Sequence, residues 1–191
     1  MIALHSEVME NWTRIHERDC SIVVEDRHMP LSEDDIALLL AKAPFALRVE
    51  GELDELAEQL AELPDTLVAD ILALAKRFAE LTGQLTGNSS LRVRLEGVTT
   101  NACKKVHADY TDIRLITTYA GPGTDYTPHG DPGCCLVRVP TGAVALFKGR
   151  LFGALISEEG HEPCFHRSPP IESSGEARLV LVIDTPARAT E

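Results

Sequence analysis

Seven short strand-like segments follow one another from Ser90 onward, none longer than nine residues, separated by Gly and Pro: SLRVRLEGV, IRLITTYAG, CLVRVP, AVALFKG, LFGALIS, PCFHRS and ARLVLVID. No helix-length periodic run comes between them, so a parallel sheet with crossover helices is excluded on this reading. Short strands in unbroken succession predict an antiparallel sandwich or jelly roll. The fold class expected is therefore mainly β, with the helical segments confined to the first half of the chain.

That first half reads differently. PLSEDDIALLLAKAP predicts a short helix, with Ser32 as its cap, Asp35 in the capping-box position and acidic residues in the first turn. GELDELAEQLAEL repeats Leu53, Leu56, Leu60 and Leu63 at helical spacing and stops at Pro64, and DTLVADILALAKRFAELTG continues as a longer helix expected to end at Gly83. These two are expected to form an antiparallel pair. CSIVVED and FALRVEG read as short edge strands. The chain has 191 residues and shows no linker or repeat, so one domain is expected over 1–191: a helical part over 1–87 buttressing a jelly-roll core over 88–186.

The formal net charge is −12, and no run of Lys or Arg offers a local exception, which argues against nucleic acid and anionic membrane as partners. The start lacks the pattern of an export signal, and no apolar segment approaches the roughly 18 residues of a membrane span. A cytoplasmic protein is expected. Its five cysteines, an odd number, then read as reduced thiols or metal ligands, with the adjacent Cys134 and Cys135 facing opposite sides of a strand.

The stretch HADYTDIRLITTYAGPGT places His107 and Asp109 two apart, so in extended backbone both side chains leave one face and can meet one ion. His166 lies in the penultimate strand. Arg178, in the last strand, shares parity with Val180 and Val182 and points into the same interior. Two histidines and one carboxylate form the facial triad that holds iron(II) with coordination positions left open. A guanidinium in an apolar interior demands an anion, and a co-substrate carboxylate satisfies it with two parallel hydrogen bonds. Together these residues describe an oxygenase site for Fe(II) and 2-oxoglutarate. The substrate expected is a small molecule or a protein side chain.

A second set competes for the same histidines. Cys103 precedes His107 by four and Cys164 precedes His166 by two, so Cys103, His107, Cys164 and His166 could close a tetrahedral Zn site in a non-catalytic zinc-binding or metal-homeostasis protein. Arg114, Thr117, Thr118 and Tyr119 follow the triad on the next strand, either as co-substrate contacts or as ordinary alternation between core and solvent. GPGTDYTPHGDPG reads as a turn-rich loop suited to a lid over the site, with His129 and Asp131 solvated within it. Trp12 is expected to anchor the N-terminal segment onto the helices.

Beyond the ligands, HADYTDIRLITTYAG resembles the prolyl-hydroxylase type of iron(II)/2-oxoglutarate oxygenase, with His-x-Asp followed by an Arg, a Thr and an aromatic. PTGAVALFKG resembles that type's Pro-x-x-Gly-x-x-x-x-Phe strand, and HRSPPIESSGEARLVLVID its distal His, intervening Gly and basic residue. The resemblance covers roughly half the chain, from Leu91 to Asp184, and implies a double-stranded β-helix buttressed by helices. It departs from the pattern in one place: Arg178 follows His166 by twelve, with Pro169 and Pro170 inside the interval. Over most of its length the chain is also similar to an uncharacterised bacterial family, domain of unknown function 1826. The similar segments are Cys-x-x-x-His-x-Asp (Cys103 to Asp109), Thr-Tyr-x-Gly-Pro-Gly-Thr (Thr118 to Thr124) and His-Arg-Ser-Pro (His166 to Pro169).

Overall fold

A computed structural model describes residues 11–86, 89–128, 135–155 and 160–186. Among the described residues there are nine strands and four α-helices. They run β1 (Ile22–Glu25), α1 (Glu33–Leu40), β2 (Phe45–Gly51), α2 (Leu53–Gln59), α3 (Asp65–Thr86), β3 (Leu91–Val98), β4 (Ile113–Ala120), β5 (Asp125–Tyr126), β6 (Val137–Arg138), β7 (Val144–Lys148), α4 (Phe152–Leu155), β8 (His166–Arg167) and β9 (Arg178–Asp184). A six-stranded antiparallel sheet has the order β1-β7-β4-β9-β3-β2, and a three-stranded sheet the order β6-β5-β8. The two predicted edge strands occupy the two edges of the larger sheet.

Two apolar layers lie on either side of that sheet. On its outer face Leu91, Val93 and Leu95 of β3, Ile113 and Leu115 of β4 and Leu179, Leu181 and Ile183 of β9 meet Leu67, Ile71, Leu74 and Phe78 of α3. Each such side chain contributes about 1.5–3 kcal/mol by leaving water, so this layer dominates the stability of the fold. On its inner face a smaller cluster of Ile116, Ala145, Phe147, Val180 and Val182 meets Val139, Cys164 and Tyr126 from the side of the smaller sheet. The larger sheet therefore reads hydrophobic on both faces in its central strands, and β9 is buried throughout.

The helices follow their sequence signals. Ser32 Oγ accepts from Asp35 N at 3.1 Å and caps α1. Trp12 is fully buried beneath the Arg77 guanidinium of α3, 3.7 Å from its ring centre, which anchors the N-terminal segment as expected. Helix α3 runs past Gly83 to Thr86, because a single glycine weakens a helix by only about 1 kcal/mol and the buried stripe outweighs it.

One predicted strand is a helix. LFGALIS was expected in the sheet, yet Phe152–Leu155 forms the short α4. A short apolar run suits strand and helix alike, and here tertiary hydrogen bonding decides. The backbone N–H groups of Gly149, Arg150 and Leu151 donate to the carbonyls of Asp112, Asp109 and Thr111, at 2.7, 2.9 and 3.0 Å. The chain is thus spent on holding another loop and cannot continue the ladder. Strand β5 falls within the segment expected to be a loop. His129, Asp131 and Cys134 lie outside the described residues.

Candidate metal centre and its anion pocket

His107 and Asp109 precede β4, which begins only at Ile113. What fixes them is a separate ladder contact: His107 N donates to His166 O at 2.9 Å and His166 N to His107 O at 2.8 Å. This antiparallel bridge sets the two imidazoles side by side, ring centres 4.9 Å apart. The clamp from residues 149–151 then holds the Asp109 backbone. Glycine is needed in that clamp, because a Cβ on Gly149 would sit 2.0 Å from Thr111 O.

Ligand atoms of His107, Asp109 and His166 all lie within 4.8 Å of one another. His107 Nε2 is 3.5 Å from Asp109 Oδ1, and His166 Nε2 is 3.0 Å from Asp109 Oδ2. Each ring turns its other nitrogen to the backbone: His107 Nδ1 is 2.9 Å from Lys105 O and His166 Nδ1 is 3.2 Å from Cys164 O. A donor is required at both Nδ1 positions, so in the neutral rings the Nε2 lone pairs converge with the carboxylate. Three electron-pair donors so placed repel one another unless a proton or a metal cation lies between them.

Asp109 Oδ2 adds to this demand. Buried, it has Arg114 Nη1 at 2.7 Å and His166 Nε2 at 3.0 Å, yet it completes no hydrogen bond in the described structure. The donor set, two imidazoles and one carboxylate on one open side, fits a divalent iron-type cation. Burial alone would raise the Asp109 carboxyl. The interaction with His166 and the charges of Arg114, His166 and His107 more than offset it and hold the group at about 2.

A cavity of about 90 Å³ adjoins the cluster, with His107 and His166 at one side and Arg178 and Thr124 at the other. Arg178 is only 2 % exposed. Its Nε donates to Pro122 O at 2.7 Å, and its Nη2 lies 3.4 Å from Thr118 Oγ1 and 3.5 Å from Thr124 Oγ1. All three acceptors are neutral. Burial accordingly pulls the guanidinium down to about 10, against the opposing pull of Asp125. Ile116, Val180 and Val182 wall the space, so the parity argument for Arg178 holds.

Alternation sorts the remaining candidates on β4. Arg114, Ile116 and Thr118 face inward. Thr118 supports Arg178, whereas Arg114 is spent on carboxylates: its Nε and Nη2 grip both oxygens of Asp184 at 2.7 Å each, and Nη1 reaches Asp109. As a co-substrate contact Arg114 is corrected to a residue that positions Asp109. Tyr119 is corrected more fully, since it shares parity with Leu115 and Thr117 on the helix-facing side. Its hydroxyl donates to Asp70 Oδ2 at 2.7 Å, within a buried group completed by Arg27, so it cannot touch a ligand in the cavity.

The zinc set does not assemble. Among the described residues the metal-ligand cluster contains neither cysteine sulfur. Cys103 is exposed, in a left-handed turn at φ 55°, and Cys164 is buried in the inner apolar layer. Burial pushes the Cys164 thiol up to about 12, which opposes the thiolate that zinc requires. Sequence reasoning missed Phe147 as a wall of the site, 4.7 Å from the His166 ring, and missed the clamp at 149–151.

The fold is a jelly roll, mainly antiparallel β with a few buttressing helices, and the site within it is a His-Asp-His cluster. Dioxygenase for auxin oxidation 1 from Arabidopsis thaliana, solved with 2-oxoglutarate, superposes with a TM-score of 0.59 at 11% identity, over 96% of this chain and 90% of that one. A Pseudomonas putida prolyl-4-hydroxylase gives 0.58 at 11% identity over 95% of each chain, and the rice dioxygenase for auxin oxidation gives 0.56 at 13% identity over 94% and 78%. Such identities speak for the fold alone. No curated protein matches the sequence. The profile of a protein of unknown function, DUF1826, matches residues 8–184, and the chain belongs to that family. Among the described residues no helix is long and apolar enough to cross a membrane.

Proposed function

We propose that the chain is an iron(II)- and 2-oxoglutarate-dependent oxygenase of hydroxylase type, with iron held by His107, Asp109 and His166 and the distal co-substrate carboxylate by Arg178 and Thr124. The observation that carries this reading is the shared cavity. His107 and His166 line one part of it, and another part is lined by a buried guanidinium whose acceptors among the described residues are all neutral. Iron(II) with 2-oxoglutarate would supply the oxidation of a C–H bond by dioxygen, the co-substrate leaving as succinate and carbon dioxide.

The chain's own residues would do the positioning. Lys105 and Cys164 carbonyls fix the ring tautomers, Arg114 fixes the carboxylate, and Phe147 covers the buried face of His166. Ile116, Val180 and Val182 keep water from the Arg178 site, which strengthens its attraction for a carboxylate.

Anaerobic addition of iron(II) and 2-oxoglutarate is expected to produce a weak visible charge-transfer band. His107→Ala should lose iron with little unfolding. Arg178→Gln should keep iron and weaken 2-oxoglutarate at least tenfold, while Cys103→Ser should change neither. Absence of the band in the parent protein, or parental iron and co-substrate binding in both His107→Ala and Arg178→Gln, overturns the reading.

A further inference from the structure

A second cavity, of about 450 Å³, opens beside the first on the inner face of the larger sheet, and Arg94 and Arg114 wall both. Its floor is set by strand register. One transverse row runs Glu50, Arg92, Asp184, Arg114 across β2, β3, β9 and β4, and the next row begins with Arg48 opposite Arg94. Like charges directly opposite on one sheet face oppose each other and are destabilising without a counterion.

The acids present do not meet this demand. Asp184 is fully engaged by the Arg114 fork. Glu96 serves Arg48 and Arg94 with a single oxygen, at 3.6 and 3.5 Å, both beyond ordinary hydrogen-bond length. Glu50 is exposed and forms no ion pair with Arg92 among the described residues. Among the described residues Arg92 donates to a backbone carbonyl, Thr185 O at 3.2 Å, and the Nε atoms of both Arg92 and Arg94 are buried without an acceptor. A chain of net charge −12 has thus gathered four arginines around one cavity, and among the described residues three of them, Arg48, Arg92 and Arg94, have no carboxylate at ordinary hydrogen-bond length. Planar guanidinium forks suit carboxylate or phosphate oxygens.

We infer that this outer cavity is an anion site, and that the oxidised substrate is a small organic acid or phosphate ester whose charged group is held by Arg92 and Arg94, with Arg48 at the rim. The anion site stands on its own geometry; its use by the substrate rests on the oxygenase reading. Arg94 and Arg114 line both cavities, which puts the anion site next to the cavity that His107 and His166 line.

The test uses the full chain without metal, so that its outcome is independent of any turnover of 2-oxoglutarate. Phenyl phosphate, benzoate and neutral benzamide are titrated calorimetrically, and their sites are mapped on the parent protein by amide NMR shifts. One or both anions should bind at least tenfold more tightly than benzamide, with shifts centred on residues 48–50 and 92–94. The tighter of the two anions names the recognised group. Binding should fall at least tenfold in Arg92→Gln/Arg94→Gln, fall less in the exposed Arg48→Gln, and stay within twofold in Arg178→Gln. The inference is overturned if benzamide binds as well as the anions, if neither anion binds, if the shifts centre elsewhere, or if Arg178→Gln alone abolishes binding.

Discussion

Arg114 holds Asp109 with the one terminal nitrogen that its two-pronged grip on Asp184 leaves over, all three contacts at 2.7 Å. Asp184 closes the last strand of the jelly roll, so the metal-type carboxylate is tied through one guanidinium to the end of β9. Opposite Arg178, at the other end of the same strand, this makes β9 the ruler that spaces the two halves of the site.

Replacing Arg114 therefore has two separable consequences. Arg114→Gln leaves Asp109 and Asp184 as uncompensated, largely buried carboxylates, at a cost of about 3–5 kcal/mol in unfolding free energy. It also frees the Asp109 side chain to rotate, and metal affinity should fall about 10–100-fold, the usual effect of losing an outer-shell partner. Arg114→Lys keeps the charge without the fork and should fall between. Metal titration of the folded variant with parental affinity would remove Arg114 from its positioning role.

The Asp109 carboxyl gives the metal-free chain an acid limb of stability. Its value of about 2 in the folded protein lies below the ordinary 3.8, so the group binds fewer protons folded than unfolded. Stability from this source is fully present above about pH 4 and is lost as pH falls through the folded value. The depression corresponds to roughly 2 kcal/mol. Asp109→Asn should accordingly show a flatter dependence of unfolding free energy between pH 5 and pH 2.5, measured by urea denaturation. Parallel curves for parent and variant would refute it.

Tyr119 should behave as a core residue. Tyr119→Phe removes one hydrogen bond from Asp70, which retains Arg27, so the cost is about 1 kcal/mol. Iron and 2-oxoglutarate affinities should not change. A tenfold loss of co-substrate affinity in this variant would return Tyr119 to the ligand pocket.

The parts of this molecule that could be read from sequence are those governed by short-range periodicity. Alternation along ARLVLVID places Arg178 with Val180 and Val182, and the leucine spacing of α2 and α3 gives the buttressing layer. The same alternation applied to IRLITTYAG separates Tyr119 from Arg114 and Thr118, but only once the inward face of β4 is known, and that is set by β7 and β9 rather than by β4 itself. LFGALIS failed as a strand because its preceding N–H groups are used by the Asp109 loop, a contact across some forty residues that leaves no local trace. The arginine floor was hidden for a similar reason. Arg48 is distant in sequence from Arg92 and Arg94, and only the β2–β3 register turns a chain without a basic run into one with a basic patch.

Gly121 links the backbone to the Arg178 guanidinium and supports a last prediction. It has φ +76°, and a Cβ there would lie 2.3 Å from Ala177 O and 3.0 Å from Arg178 Cγ. Its neighbour Pro122 supplies the carbonyl that accepts from Arg178 Nε at 2.7 Å. In Gly121→Ala the left-handed backbone costs about 1–2 kcal/mol, and relief of the contact with Ala177 must move either β9 or the 121–122 turn. Both movements disturb the grip of Pro122 on Arg178 and leave His107, Asp109 and His166 in place. The variant should therefore bind 2-oxoglutarate severalfold more weakly while its iron affinity stays within twofold of the parent. Equal losses of both affinities in calorimetric titration would mean that the turn supports the whole site rather than the guanidinium alone.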